Sequence, residues 1–316
     1  MKRSLALASS DTAGYAYGSG IGGDIMVRKD RSGIGLFLLL AFALSSVFYA
    51  LIIATGHLGG AKGMYVTGLM WCPGIAALLT CRLRGEGPAR LGWRWGEWRW
   101  PWLAYLVPLG YAAVAYVVIW CTGLGGFGNT EFLSSMGKAL GWTGAPVWLS
   151  SAGYFVLLGT VGMVRSLSTA LGEEIGWRGF LAPVLVTRLG FTGGALVTGA
   201  IWGAWHLPIL LFADYNAGTP WWFAISCFMV LVLSSSVMMT WLRLRSGSLW
   251  PAVVMHASHN LFIQSFFTPM TESRGSITPY AIDEFGFVVP LVMATVAVMF
   301  WMKRDAAVRS TAAALS

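Results

Sequence analysis

The stretch GIGLFLLLAFALSSVFYALIIAT, residues 33–55, has no charged side chain and decides the fold class. A helix rises about 1.5 Å per residue, so this run can cross the roughly 30 Å of a bilayer's hydrocarbon core. Further apolar runs follow at roughly 64–81, 102–124, 160–186, 193–212, 221–242, 248–267 and 285–302. The pattern predicts an all-α, multi-pass membrane helix bundle with about eight transmembrane helices.

Composition excludes a soluble enzyme. The 316 residues are 56% hydrophobic and only 11% charged, too few charges to cover the surface of a water-soluble particle. The formal net charge is +8, but the basic residues lie in short loops between apolar runs, where membrane orientation accounts for them. We therefore expect the lipid bilayer as a partner and no nucleic acid.

The distribution of Lys and Arg predicts the orientation. Seventeen of the 21 basic residues fall in the N-terminal tail, the C-terminal tail and the second, fourth and sixth loops. The odd-numbered loops hold only Lys62, Lys138 and Arg274, and Arg165 lies inside a predicted span, from which we expect it to extend toward the outer interface. Because cytoplasmic loops are rich in Lys and Arg, both termini are predicted to be cytoplasmic.

The chain divides into three parts on this basis. Residues 1–32, rich in Gly, Ser, Ala and charge, are predicted to be a flexible cytoplasmic tail, 33–302 the helix bundle, and 303–316 a cytoplasmic C-terminal tail. The region 145–186 is too long for one crossing. We expect its transmembrane helix to reach about residue 186, with 145–159 forming a separate outer-side or re-entrant segment.

Ionisable side chains occur inside the apolar runs at three places. They are LGEEIGWRGFL at residues 171–181, WGAWHLP at 202–208 and HASHN at 256–260. A charge in hydrocarbon costs several kcal/mol unless it is paired, so such residues are functional candidates. Polar contacts between helices would account for Asn260 taken by itself. For His259, such contacts and a functional role are equally good explanations. Such contacts account poorly for all three runs together.

Helical spacing gives these residues different tasks. Glu174 and Arg178 are four residues apart on one helix face and can form an ion pair. Glu173 is then free to face a cavity, where it can act as a general base. His256 and Asn260 are also four residues apart, and two donors on one face suit a developing oxyanion.

The three runs carry a resemblance to a known family. GEEIGWRGFL at 172–181, WGAWHLP at 202–208 and LWPAVVMHASHN at 249–260 resemble, in order and spacing, the three motifs of the CAAX protease and bacteriocin-processing (CPBP or Abi) membrane proteins. The resemblance covers about 162–267, and we place the catalytic core at about 160–267. The family's second motif commonly has Phe where this chain has Trp202, an aromatic exchange expected to matter little.

The resemblance implies a glutamate-dependent intramembrane endopeptidase of a bacterial cytoplasmic membrane. Its substrate would be a membrane-associated peptide or lipidated protein, either prenylated and CAAX-like or bacteriocin-like. The motif positions assign water activation to Glu173 and His206, oxyanion stabilisation to His256 and Asn260, and structural support to Glu174 and Arg178. Because Glu173 and His206 would share one water, we expect the carboxylate within about 8 Å of the imidazole ring.

Other intramembrane protease classes fit the sequence poorly. No His is followed by Glu, so the H-E-x-x-H motif of site-two-type zinc proteases is absent. The sequence Gly18-Ser19-Gly20 lies in the tail, which does not fit a rhomboid-like serine protease. Every Asp falls outside the predicted spans, whereas a presenilin-type protease needs two in the membrane.

Two questions remain open from the residues alone. No cofactor is required by the predicted reaction and a metal-free site is favoured, although Glu173, His206 and His256 could supply three ligands of an open zinc site. The same buried residues would also suit a proton-coupled transporter, or a noncatalytic membrane chaperone or immunity factor built on the same fold.

Overall fold

The computed structural model describes residues 21–142, 144–216 and 218–315 of the chain. Within that part, long helices dominate. The α-helices are α1 (Ile21–Thr55), α2 (Met64–Leu83), α3 (Arg99–Thr122), α4 (Thr130–Ala139), α5 (Val147–Leu157), α6 (Met163–Glu174), α7 (Ala182–Phe212), α8 (Trp221–Ser246), α9 (Trp250–His259), α10 (Thr268–Met270), α11 (Thr278–Ala281), α12 (Val288–Met302) and α13 (Arg304–Leu315).

Shorter elements join these helices. π-Helical segments link α5 to α6 (Leu158–Gly162), α6 to α7 (Ile175–Leu181) and α9 to α10 (Asn260–Phe267). 3-10 turns occupy Gly60–Gly63, Pro88–Leu91 and Gly275–Ile277. Strands β1 (Gly126–Phe127) and β2 (Thr271–Glu272) form one short antiparallel pair.

The predicted fold class, an all-α multi-pass membrane bundle, is confirmed. Among the described residues, five helical stretches are long and apolar enough to cross a membrane: Gly33–Thr55, Gly60–Leu83, Arg99–Thr122, Val147–Phe212 and Trp221–Ser246. Each of the predicted apolar runs coincides with a helix, although α12 is shorter than these five. Eight crossings and cytoplasmic termini stay predictions.

The longest stretch, Val147–Phe212, holds two predicted spans because it turns sharply at one residue. Gly190 has φ 67° and ψ 176°, a backbone conformation essentially restricted to glycine. The helix arriving from α6 therefore ends at Gly190 and a second helix continues to Phe212. This agrees with the separate spans predicted at 160–186 and 193–212.

One predicted boundary is wrong. Residues 145–159 do not form a separate segment, because the helix begins at Val147 and continues into α6 through the π-helical turn Leu158–Gly162. Such a turn keeps the backbone hydrogen-bonded across Gly159 and Gly162, so these glycines do not end the helix. Helix α1 begins at Ile21, and its membrane-length apolar part is Gly33–Thr55. Residues 1–20 lie outside the described part, α13 lies in the predicted C-terminal tail, and the division into tails and bundle stays a prediction.

Glycines set the packing that positions the first motif. α6 packs between α2 and α9, and it approaches α2 backbone to backbone. A Cβ atom on Gly172 would lie 2.7 Å from the Met70 carbonyl oxygen, and one on Gly176 would lie 2.6 Å from Pro73. No larger residue fits at either position. The two glycines therefore allow the intervening glutamates to lie in the centre of the bundle.

Candidate active site

The three sequence motifs meet at one buried cavity of about 180 Å³ between α2, α6, α7, α8 and α9. Its lining includes Glu173 from the first motif, His206 from the second, and His256 and Asn260 from the third. These are the four residues to which the sequence assigns catalytic roles. The structure thus brings them to a common space, although they come from three different helices.

Glu173 is the next-to-last residue of α6, and its carboxylate has one hydrogen-bonded oxygen and one free oxygen. The side chain is only 1% exposed, and its Oε2 accepts a hydrogen bond of 2.6 Å from the indole Nε1 of Trp202. Within the described part of the chain, Oε1 has no hydrogen-bond partner. A carboxylate oxygen with a free lone pair beside a cavity can take a proton from a bound water.

His206 is held by the same tryptophan through the backbone. Its Nδ1 lies 3.0 Å from the Trp202 carbonyl oxygen. Because a carbonyl oxygen only accepts, Nδ1 carries the proton and Nε2 keeps its lone pair. The imidazole packs against the rings of Trp205 at 4.8 Å and Phe228 at 5.1 Å, which fixes its orientation.

Glu174 and Arg178 form the predicted ion pair, and it is completely buried. Arg178 Nη1 donates to Glu174 Oε1 at 2.9 Å, and both side chains are 0% exposed. The sequence did not predict that the same oxygen also accepts from His256 Nδ1, at 2.9 Å. Glu174 thereby joins the ion pair to the third motif. A carboxylate on Nδ1 stabilises a protonated His256, whose Nε2–H can then donate.

Asn260 begins the π-helical segment that follows α9 and lies half-buried at the cavity. Its side-chain amide makes no hydrogen bond to any residue that the structure describes, so its donors are available to a ligand. Together with a protonated His256, it provides two donors to the same space. Such an arrangement can stabilise negative charge on a carbonyl oxygen.

Metal binding receives no geometric support from the described residues. Among them, no three His, Cys, Asp or Glu side chains are grouped closely enough to hold an ion. Glu173, His206 and His256 therefore do not form such a group in this structure. The hydrogen bonds at Nδ1 of both histidines orient the rings and leave each Nε2 without a partner among the described residues.

A second buried carboxylate lines the cavity and was missed by the sequence analysis. Glu284 accepts hydrogen bonds from Tyr215 Oη at 3.0 Å, His259 Nε2 at 2.9 Å and Gln264 Nε2 at 3.0 Å. The Tyr111 hydroxyl lies 2.7 Å from His259 Nδ1. His259, whose role the sequence left open, therefore belongs to this network, which we call the Glu284 cluster (Tyr111, Tyr215, His259, Gln264 and Glu284).

Position in the chain explains why Glu284 was missed. It follows Asp283 in the loop before α12, and the sequence placed both acids outside the membrane. An acidic pair directly before an apolar run was the available signal. Burial and the adjacent Glu284 carboxylate raise the pKa of Asp283 to about 7. Burial alone would raise the pKa of Glu284, but hydrogen bonds led by His259 lower it.

Arg165 belongs neither to the candidate active site nor to the Glu284 cluster. Its side chain is exposed on α6, as expected for a basic residue that extends away from the bundle.

Comparison with known proteins points to one family for this region. Residues 151–262 match the family model described as "Type II CAAX prenyl endopeptidase Rce1-like". A 102-residue segment is 26% identical to CAAX prenyl protease 2 of Methanococcus maripaludis and covers 30% of this chain. The match spans 36%, about a third, of that relative's length. All six residues of the predicted site lie within the matched region, whereas Glu284 and Tyr111 lie outside it.

Proposed function

Because residues 151–262 match the Rce1-like family model, we propose that the chain is a glutamate-dependent intramembrane endopeptidase of the CPBP type. Its substrate is a membrane-associated peptide or lipidated protein, with a prenylated, CAAX-like C-terminal segment as the first candidate. A bacterial cytoplasmic membrane is the proposed location, with both termini in the cytoplasm.

One observation carries the proposal. Glu173 is a buried carboxylate whose Oε2 is tethered by Trp202 and whose Oε1 is free, and it shares a cavity with three further polar side chains of the motifs. Glu284 uses both oxygens, and Glu174, whose Oε2 is also unpaired, does not line the cavity, so Glu173 is the carboxylate with a free oxygen beside this space. A free oxygen in the middle of a membrane bundle is expensive, and it is what a general base needs.

In the proposed reaction, these groups act on the attacking water and on the carbonyl oxygen of the substrate. Glu173 Oε1 takes a proton from a water that also donates to the lone pair of His206 Nε2, and the resulting hydroxide attacks the scissile carbonyl carbon. The carbonyl oxygen becomes negative as the tetrahedral intermediate forms. His256 Nε2–H and the Asn260 amide donate to that oxygen, while Glu174 keeps His256 protonated. Glu173 then gives its proton to the leaving amine.

The proposed reaction needs no cofactor. It contains a base, a water-orienting imidazole and two oxyanion donors, which together can hydrolyse a peptide bond without a Lewis acid. A proton-coupled transporter or a noncatalytic chaperone or immunity factor would use the same polar residues differently. Loss of Glu173 separates these functions, because only a protease then loses cleavage of a peptide.

The direct test is cleavage in nanodiscs. Purified wild-type protein is given a farnesylated CAAX-like peptide and its unprenylated counterpart, and the products are identified by mass spectrometry. Glu173→Gln preserves size and hydrogen bonding but removes the base, so we expect the cleavage rate to fall by about 10²–10⁴-fold with little change in thermal stability.

The matched control is Glu131→Gln, the same exchange at an exposed position on α4. It should leave the cleavage rate unchanged. The proposal is wrong if wild-type protein yields no product from a panel of membrane-anchored peptides, or if Glu173→Gln cleaves at nearly the wild-type rate. Proton-linked substrate uptake into liposomes that depends on Glu173 would instead favour the transporter.

A further inference from the structure

Trp202 contacts members of all three motifs, although the sequence analysis assigned it no functional role. It is 4% exposed, its Nε1 donates to Glu173 Oε2 at 2.6 Å, and its carbonyl oxygen accepts from His206 Nδ1 at 3.0 Å. The Arg178 guanidinium carbon lies 4.2 Å from the centroid of the Trp202 ring, and the His256 ring centroid lies 5.4 Å away. One residue thus joins the proposed base, its imidazole partner and the supporting ion pair.

The indole N–H has a chemical preference that a carbocyclic aromatic ring lacks. It is a donor only, so it binds an oxygen of Glu173 that carries no proton. The bond also fixes the carboxylate's rotation, which leaves Oε1 as the oxygen that is free. A Phe at this position, common in the family that the motifs resemble, would keep the ring but not the N–H.

The Trp202 ring is itself held in place by charge. The guanidinium of Arg178 is fully buried, and it lies over the aromatic face within the range of a cation–π interaction. Arg178 is in turn bonded to Glu174. The ion pair that supports His256 therefore also orients the indole toward Glu173, so the two adjacent glutamates are connected through Trp202 as well as through the backbone.

We infer that Trp202 is a positioning residue that fixes the rotation of the proposed base Glu173 and turns its Oε1 toward the water shared with His206. The inference rests on the proposed function and adds to it the group that orients the base. Without the indole N–H, the carboxylate is free to rotate away from that water. Substrate contacts do not change, so the effect falls on kcat and not on KM.

The test measures kcat and KM for the cleaved peptide. Two variants are compared with wild type: Trp202→Phe, and a replacement of Trp202 by 3-benzothienylalanine, which keeps the shape of the indole and removes only the N–H. Each variant loses one hydrogen bond to the base, so we expect kcat to fall by about 10–100-fold in both, with KM within about twofold. If Trp202→Phe folds poorly, the benzothienylalanine variant supplies the result.

The matched control is Trp241→Phe, which also loses a buried indole hydrogen bond, to the Lys303 carbonyl oxygen at 3.0 Å, but lies outside the cavity lining. It should lower thermal stability and leave kcat and KM unchanged. An unchanged kcat in the benzothienylalanine variant overturns the inference while leaving the proposed protease intact.

A second measurement needs no substrate and separates failure of the inference from failure of the proposed function. Infrared difference spectroscopy, with the Glu173→Gln spectrum subtracted, isolates the stretching bands of the Glu173 carboxyl group. Those bands should shift without the indole N–H, because Oε2 loses its hydrogen bond. If they are the same with and without the N–H, the inference is wrong whether or not the protein cleaves a peptide.

Discussion

Glu173 and Glu284 are both buried carboxylates that line the same cavity, and they differ in how many donors surround them. Glu284 accepts three hydrogen bonds, two at Oε1 and one at Oε2. Glu173 accepts one, at Oε2. A carboxylate whose oxygens are both occupied is held in place and has little basicity left, whereas a free oxygen can accept a proton. Donor number therefore distinguishes the two carboxylates of the cavity, whereas Glu174, whose Oε2 also lacks a donor, lies outside the cavity lining.

The hydrogen-bond donors to Glu173 and to Glu284 also come from different parts of the chain. Glu173 depends on Trp202, which comes from the second motif of the matched region. The Glu284 cluster draws on Tyr111 in α3, on Gln264 beyond α9 and on the loop before α12. The residues with proposed catalytic roles therefore all come from the motifs. The Glu284 cluster combines Tyr215 and His259 of the matched region with Tyr111, Gln264 and Glu284 from outside it.

The largest stability effect should come from the ion pair beside Glu173. Arg178→Met leaves the Glu174 carboxylate buried without its cation, and we expect the free energy of unfolding to fall by about 3–5 kcal/mol. Steric trapping in bicelles measures this change. The double variant Glu174→Gln/Arg178→Met removes both charges and should be less destabilised than Arg178→Met alone. Equal losses would mean that the two charges do not depend on each other.

Glu284→Gln should have an intermediate effect on stability and a small one on activity. The amide keeps one acceptor oxygen but places an NH₂ against donors of the cluster, which we expect to cost about 1–3 kcal/mol. The cleavage rate should stay within about tenfold of wild type, in contrast to Glu173→Gln. Tyr215→Phe, which removes one of three donors, is the milder control. A loss of activity as large as that of Glu173→Gln would abolish the distinction between the two carboxylates.

The smallest expected effect is on the pH dependence of stability, and it comes from Asp283, the neighbour of Glu284. The pKa of Asp283 rises from 3.8 to about 7, so this acid favours the folded state fully below about pH 4. That contribution is lost as pH rises through about 7. The unfolding temperature should therefore fall by about 2–4 °C more in wild type than in Asp283→Asn between pH 5 and pH 8.

Asparagine is the suitable replacement because the backbone at position 283 is left-handed, with φ 64°, a conformation that Asn tolerates. Thermal unfolding in detergent at the two pH values supplies the measurement. If Asp283→Asn and wild type lose the same number of degrees, the pH response belongs to another group.

The sequence predicted the polar centre better than its surroundings, for a physical reason. Charges in apolar runs are rare and expensive, so Glu173, Glu174 and Arg178 stood out, and four-residue spacing correctly paired the last two. Glu284 did not stand out because an acid in a loop is ordinary. Only the tertiary fold shows that this loop residue is buried beside His259.

Local rules also failed where backbone geometry overrides them. The segment 145–159 was expected to be separate because a membrane crossing needs only about 20 residues. The helix instead starts at Val147 and continues through Leu158–Gly162 into α6. The exchange at Trp202 was expected to matter little because Trp and Phe are both aromatic. Its hydrogen bond to Glu173 depends on where two helices meet, and no single-chain pattern reports that distance.

The π-helical segments next to the proposed catalytic residues have an evolutionary consequence. Ile175–Leu181 follows Glu174 directly, and Asn260–Phe267 begins at Asn260. A π turn holds one more residue than an α turn, so side chains on its two sides take a different relative rotation than in a regular helix. Losing one codon between Glu174 and Arg178 would restore a regular helix but shorten their spacing from four residues to three, which changes the geometry of their ion pair. Length changes as small as a single codon are therefore expected to be selected against at these two places, even though the helices themselves would survive them.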